Sequence, residues 1–332
     1  LGRSELSPDC VIICCAIMEP AVQVENLVKR FGSFTAVDGV TFAVERGEVF
    51  GILGPNGAGK TTTLEIIESL QKPTLGRVSV LGLDVQSDAA KVKARIGVQL
   101  QASAYYDYLN LTEILSLLGS FYPSRVEPAT LLEQVGLADL SVSRIRELSG
   151  GQQQRFAVAA SLVNHPELVI LDEPTTGLDP QARRNLWGLI REVNQRGVTV
   201  VLTTHYMDEA EILCSRLAIM DHGQILALDT PRNLINRLEA SYTVKLTMDQ
   251  PMTLAQIEAL NGAVDVVQSG EQDEDGPVTE NTYLLRLANS ASALRAMLDE
   301  IAKAGLGLEN LQITPVTLED VFLELTGNEL RE

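Results

Sequence analysis

Residues 49–67 read VFGILGPNGAGKTTTLEII. An apolar run leads into a turn carrying Gly54, Gly57 and Gly59, and apolar residues then recur at helical spacing. That is the pattern of a buried strand, a tight loop and a helix. Residues 54–61 fit G-x-x-x-x-G-K-[ST] in the context the motif requires. The glycines let backbone amides turn toward an anion without a Cβ in the way, and the helix N-terminus adds partial positive charge. Gly54, Pro55, Asn56, Gly57, Ala58 and Gly59 should therefore cradle phosphates. Lys60 should reach the β- and γ-phosphates of a nucleotide, Thr61 should place its hydroxyl on Mg²⁺, and Thr62 should lie near the α-phosphate.

Further along, LVILDE (168–173) and GVTVVLTTH (197–205) are apolar runs, separated by the amphipathic stretch PQARRNLWGLIREVNQR (180–196). Strands alternating with helices predict a mostly parallel sheet covered on both faces. Asp172 and Glu173 end the first run, where the chain leaves the sheet and neighbouring side chains point opposite ways. One carboxylate can then hold a metal while the other polarises water: Asp172 is expected on Mg²⁺ and Glu173 as general base. His205 ends the second run, at the strand edge where open α/β sheets bind ligands, and is expected at the γ-phosphate. His165 and His222 precede Pro166 and Gly223 and read as turn residues.

Upstream, residues 22–44 alternate in short runs that suit an antiparallel strand group. Between the phosphate loop and residue 155 lies a helical region, LTEILSLLGSFY and TLLEQVGL, interrupted by Pro123 and Pro128. LAIMDHGQILALDT (217–230) reads as a hairpin turning at His222-Gly223.

A second glycine turn, LSGGQ (148–152), precedes QQRFAVAASLV. Ser149 can cap that helix, leaving the amides of Gly150 and Gly151 available to an anion. No lysine or metal-binding carboxylate belongs to this turn, so it cannot hold a nucleotide alone.

GPNGAGKTT, LSGGQ, LVILDEP, GLD and His205, in this order, resemble the ATP-binding subunits of ABC transporters. The resemblance covers residues 22 to about 235. It implies a Q-loop at Gln101, touching both the metal and the chemistry, with Gln99 a neighbouring candidate. It also implies a D-loop at Asp179 and an adenine-stacking aromatic at Phe31, where the family often has tyrosine. In that family two subunits face head to tail, and Ser149, Gly150, Gly151 and Gln152 would clasp the γ-phosphate held by the other chain. One copy of each motif then implies a homodimer with two composite sites.

The expected fold is α/β: an ABC-type P-loop ATPase unit over 18–238 with a helical subdomain about 103–155, followed by a ferredoxin-like α+β unit over 239–332. The second unit rests on a βαββαβ order after a composition shift near Ala240, with the acidic run 271–275 as a solvated hairpin loop. Its ending, ITPVTLEDVFLELTG, resembles the tails of daunorubicin-type resistance exporters, whose membrane subunits are separate ABC-2 permeases. That resemblance implies a subunit bound peripherally at the cytoplasmic face of the membrane, with permease helices seated near Gln101.

Composition agrees with this reading. The 332 residues carry a formal charge of −18, of which −11 falls from Ser241 onward, so a nucleic-acid backbone is not the expected partner. No stretch approaches the roughly 20 apolar residues of a transmembrane helix. Residues 1–17 hold Cys10, Cys14 and Cys15 and are expected to be an extension before a working start at Met18. With Cys214 alone elsewhere, the cysteine spacing forms neither a disulfide framework nor a zinc site.

Overall fold

A computed structural model describes residues 19–99, 105–238, 242–252, 263–268, 282–287 and 291–326. The proposed extension 1–17, Gln101 and the acidic run 271–275 lie outside them.

The apolar run before the phosphate loop forms β3 (Val49–Leu53), every residue of it buried. It sits inside a six-stranded sheet of order β10-β9-β3-β8-β7-β6. Its members are β6 (Ile96–Gln99), β7 (Leu168–Asp172), β8 (Thr199–Thr204), β9 (Arg216–Asp221) and β10 (Gln224–Asp229). All neighbours are parallel except β10, which pairs antiparallel with β9. The hairpin turns where the sequence predicts it, with His222 at φ 46° and Gly223 at φ 79°. Two successive left-handed residues match the twist of the flanking strands.

Alternation explains why these strands read as continuous apolar runs. Val49, Leu53, Val169, Leu171, Val200 and Leu202 enter one core. Phe50, Ile52, Leu168, Ile170 and Val201 enter the other. Side chains two apart share a face, so a strand covered on both sides has no polar positions to spare.

The first core contains α3 (Leu111–Gly119), α4 (Pro128–Gln134), α5 (Gly150–Ser161), α6 (Pro180–Gln195) and α7 (Met207–Leu213). Pro128, read from sequence as an interruption, opens α4 at its first position, where a missing N–H costs nothing. The second core is closed by α1 (Lys60–Ile67), α2 (Ala89–Arg95) and an antiparallel sheet of order β2-β1-β4-β5. That sheet comprises β1 (Val22–Phe31), β2 (Phe34–Val44), β4 (Leu75–Val80) and β5 (Leu83–Asp84).

Beyond α8 (Pro231–Ile235), a third sheet has the order β12-β13-β11-β14. Its strands β11 (Tyr242–Met248), β12 (Ala263–Gln268), β13 (Thr282–Leu287) and β14 (Leu308–Pro315) pair antiparallel throughout. Val244, Leu246, Tyr283 and Leu285 pack against Met297 and Ile301 of α9 (Ala291–Lys303).

The last helix departs from the simple reading of a closed C-terminal unit. In α10 (Leu318–Thr326), Leu318, Val321 and Phe322 join the core of the ATPase unit beside α7 and α8. Glu211 of α7 accepts a hydrogen bond from the Leu318 amide at 2.7 Å. Burying Leu318 and Phe322 there contributes about 1.5–3 kcal/mol each.

Candidate nucleotide-hydrolysis site

Strand register brings the motif residues together. Leu53 pairs with Thr204, and Asp172 with Thr203, so β3, β7 and β8 end at one edge. The phosphate loop, Glu173 and His205 leave the sheet from that edge.

The loop is fixed from behind. A Cβ on Gly54 would lie 2.1 Å from the carbonyl oxygen of Met220. Gly59 stands at φ 100°, and a Cβ there would lie 2.5 Å from the oxygen of Ala36 in β2. Both positions therefore exclude any larger residue, Gly59 by conformation as well as by space. Asn56 and Gly57 form the exposed tip.

Lys60 is buried and folds back over the loop. Its Nζ donates to the carbonyls of Gly54 at 2.7 Å and Pro55 at 3.2 Å. It also lies 3.1 Å from Glu173 Oε1. On the other carboxylate oxygen, Glu173 Oε2 accepts from Thr176 Oγ1 at 3.2 Å and stands 3.3 Å from His205 Nδ1. Burial pushes the Glu173 carboxyl up, but the Lys60 charge and hydrogen bond, with His205 and Thr176, outweigh it and hold the group below the ordinary glutamate range.

Glu173 has a backbone φ of 46°, left-handed for a residue with a Cβ, which costs about 1–3 kcal/mol. A residue missed in the sequence reading holds it there. Thr203 Oγ1 accepts from the Glu173 amide at 2.9 Å and donates to Asp172 Oδ1 at 2.5 Å. One buried hydroxyl thus orients both carboxylates. The signal was present as a polar Thr-Thr pair ending the otherwise apolar VTVVL run. Asp172 Oδ2 also accepts from Thr61 Oγ1 at 3.2 Å.

Phe31 ends β1 and pairs across the hairpin with Phe34; both rings are substantially exposed. Lys29 Nζ covers one face of the Phe31 ring, 4.8 Å from its centre. The same β2 strand backs the phosphate loop at Ala36, so the exposed aromatics stand beside the loop. Gln99, the alternative to Gln101, is buried and donates through Nε2 to Gln154 Oε1 of α5 at 3.2 Å.

The second glycine turn is a helix start. Ser149 Oγ accepts from the Gln152 amide, and Gln152 Oε1 accepts from the Ser149 amide at 2.8 Å, a reciprocal cap on α5. Gly151 packs closely on α6, where a Cβ would lie 3.0 Å from Ala182 Cβ. Asp179 caps α6, its Oδ1 accepting from the amides of Gln181 and Ala182 at 2.9 Å each. Among the described residues, no hydrogen bond or ion pair joins residues 149–152 to residues 54–62 of the same chain.

Two groups near the site stand apart from it. Glu68 caps the C-terminal end of α1, is almost fully buried, and has its carboxyl pushed up to about 7 by burial and by the charge of Asp172. Burial likewise pushes the lone Cys214 thiol up.

The ABC transporter family model matches residues 37–176. The linearmycin resistance ATP-binding protein LnrL of Bacillus subtilis is 35% identical over 319 residues, covering 94% of this chain and 100% of that protein. The chain belongs to the ABC transporter ATP-binding family. This ABC ATPase is also 36% identical over 313 residues to the daunorubicin/doxorubicin resistance ATP-binding protein DrrA of Streptomyces peucetius, covering 93% of each chain. The Nod factor export ATP-binding protein I of Ralstonia nicotianae is 37% identical, covering 94% of this chain and 96% of that one. Among solved structures, the dimeric post-hydrolysis state of the ATP-binding cassette MJ0796, bound to ADP and Pi, is 28% identical with a TM-score of 0.58, covering 63% of this chain and 98% of that one. The cassette cbiO1 of Clostridium perfringens is 27% identical with a TM-score of 0.60, covering 66% and 91%. The protein is the nucleotide-binding ATPase subunit of an ABC transporter, of a family whose cassettes work as dimers with a membrane permease.

Proposed function

We propose that the chain is the motor of a bacterial exporter of the drug and antibiotic resistance type, forming a homodimer that closes on two Mg·ATP and drives a separate ABC-2 permease. The observation carrying the mechanism is the Lys60–Glu173–His205 cluster at one sheet edge, with Ser149–Gln152 capping a different helix. The export reading draws on relatives named for linearmycin resistance, daunorubicin/doxorubicin resistance and Nod factor export, each aligned over nearly the whole chain, tail included.

Glu173 Oε1 is paired with Lys60. The β- and γ-phosphates of ATP are stronger partners for that ammonium than a single carboxylate, so nucleotide binding draws Lys60 away and releases Oε1. Once Lys60 is engaged, burial and the nearby phosphates raise the proton affinity of Glu173, suiting it to take the proton of the attacking water. His205, whose Nδ1 lies 3.3 Å from Oε2, contacts the γ-phosphate. Ser149 and the amides of Gly150 and Gly151 complete the partner chain's site, with Asp179 and Gln152 at the same junction. Phe31 offers adenine the ring face that Lys29 does not cover.

Thr61 Oγ1 and the Asp172 carboxylate are hard oxygen donors 3.2 Å apart, a donor set that fits Mg²⁺, which keeps several waters and takes one or two protein oxygens plus phosphate. When bound, Mg²⁺ neutralises charge on the β- and γ-phosphate oxygens. Gln101 would complete this shell from the Q-loop.

No described helix is long and apolar enough to cross a membrane. The relatives are named as ATP-binding proteins of resistance and export systems, so we assign export to a separate membrane partner, with the chain acting peripherally at the cytoplasmic face. Affinity isolation of the tagged chain from membranes tests this. An integral-membrane partner retained in detergent that stimulates ATP turnover is expected, whereas recovery with ribosomes or DNA in its place contradicts the export reading.

A further inference from the structure

The geometry points to Arg183 and Tyr206 as positioning residues that fix His205 and tie it to the first turn of α6. This inference rests on the reading of His205 and Glu173 as parts of the hydrolytic site.

Tyr206 follows His205 directly, and the two rings pack tilted against each other, 4.1 Å between centres and 42° between planes. On the Tyr206 ring lies the Arg183 guanidinium, its carbon 4.0 Å from the ring centre. Arg183 Nη1 also lies 3.6 Å from Asp208 Oδ2 in the first turn of α7. Its Nε is buried with no hydrogen-bond partner, so the aromatic ring supplies much of what this cation contacts on that side. The stack thus runs from Arg183 through Tyr206 to His205, which stands 3.3 Å from Glu173 Oε2.

The far end of the stack matters as much. Arg183 sits in the turn of α6 capped by Asp179, next to Ala182, against which Gly151 of the LSGGQ turn packs. One rigid turn therefore touches the element that completes the partner chain's nucleotide and the group that holds His205 over the chain's own. His205 Nδ1 approaches Glu173 Oε2 at 3.3 Å without a hydrogen bond, which leaves the imidazole free to tilt; the ring behind it removes that freedom. Such a residue changes the alignment of the reacting groups without touching the nucleotide, and its loss lowers kcat with little change in KM.

The Tyr206 hydroxyl makes no hydrogen bond among the described residues, which allows a clean comparison. Steady-state phosphate release is measured for Tyr206→Leu, Tyr206→Phe, Arg183→Gln, their double variant and His205→Ala, with ATP-dependent thermal shifts reporting folding and nucleotide binding. Tyr206→Leu and Arg183→Gln should each lower kcat about tenfold with KM within about twofold, and Tyr206→Phe should restore most of the loss. Losses in the double variant should be less than multiplicative, because both changes break one stack. Wild-type kcat in both Tyr206→Leu and Arg183→Gln, or equal losses in Tyr206→Phe and Tyr206→Leu, overturns the inference. If His205→Ala turns over normally, the reading of the site itself fails; if His205→Ala is inactive while the stack variants are not, only the positioning role fails.

Discussion

Replacing Glu173 with glutamine separates what the carboxylate does for chemistry from what it does for Lys60. A positioned general base contributes about 10²–10⁴ in rate, so turnover at saturating Mg·ATP should fall by that factor, equivalent to about 3–5 kcal/mol. Nucleotide affinity should move the other way. In the Lys60–Glu173 pair both side chains are less than a tenth exposed, and the ammonium keeps the Gly54 and Pro55 carbonyls when the charge opposite is lost. The amide oxygen of glutamine still accepts, so the nucleotide-free protein loses about 1–3 kcal/mol rather than the larger amount expected of an unpaired buried charge. The phosphates restore that partner, and ATP should bind about 5- to 150-fold more tightly. Unfolding without nucleotide should fall by about 2–4 °C per kcal/mol and recover when ATP is added. Because the folded carboxyl lies below the ordinary value of 4.5, its stabilisation is complete above that pH and is lost as pH falls through the folded value. The difference in melting temperature between wild type and variant should therefore be full at neutral pH and close below pH 4.5. Phosphate release, equilibrium ATP binding and thermal unfolding read the three effects. Turnover within threefold of wild type, or ATP affinity that falls with turnover, refutes the reasoning.

Other substitutions follow from the same contacts. Glu68 carries a carboxyl raised from 4.5 to about 7, so the folded protein loses stability as pH rises from 4.5 to 7, and Glu68→Gln should be more stable at pH 8 by of the order of 3 kcal/mol and equal to wild type near pH 4; a pH-independent difference in denaturant midpoint contradicts this. Gly59→Ala places a Cβ against the Ala36 carbonyl at φ 100°, and isothermal titration should detect little or no ATP binding in a folded protein. Thr203→Val keeps shape but removes the hydroxyl shared by Asp172 and the Glu173 amide, so kcat should fall by about tenfold or more, a loss of about 1–3 kcal/mol, checked by phosphate release.

The sheet was legible because burial on both faces writes itself as unbroken apolar runs. VFGIL, LVILD and VTVVL all became neighbouring strands, and parallel register then carried Lys60, Asp172, Glu173 and His205 to one edge. Glycine positions were legible where a close approach demands them, as at Gly54 and Gly59. What periodicity did not reveal were contacts made by residues whose pattern is unremarkable. Thr203 differs from a strand-forming valine by one hydroxyl, and Arg183 from its neighbour Arg184 only in facing Tyr206, while Arg184 donates to the Pro180 carbonyl. The sequence likewise placed TLEDVFLELTG with the C-terminal unit, since its amphipathic pattern states that one face is buried but not against what. In the fold that face lies on α7 and α8.

The central claim is that the two glycine-rich turns of one chain serve two different nucleotides. Sedimentation velocity on Glu173→Gln with Mg·ATP, beside the double variant Glu173→Gln/Ser149→Phe, tests it most directly. The single variant should sediment as a dimer, and the double variant as a monomer that still binds ATP. Equal dimerisation by both, or loss of ATP binding on changing Ser149 in the monomer, would contradict the account.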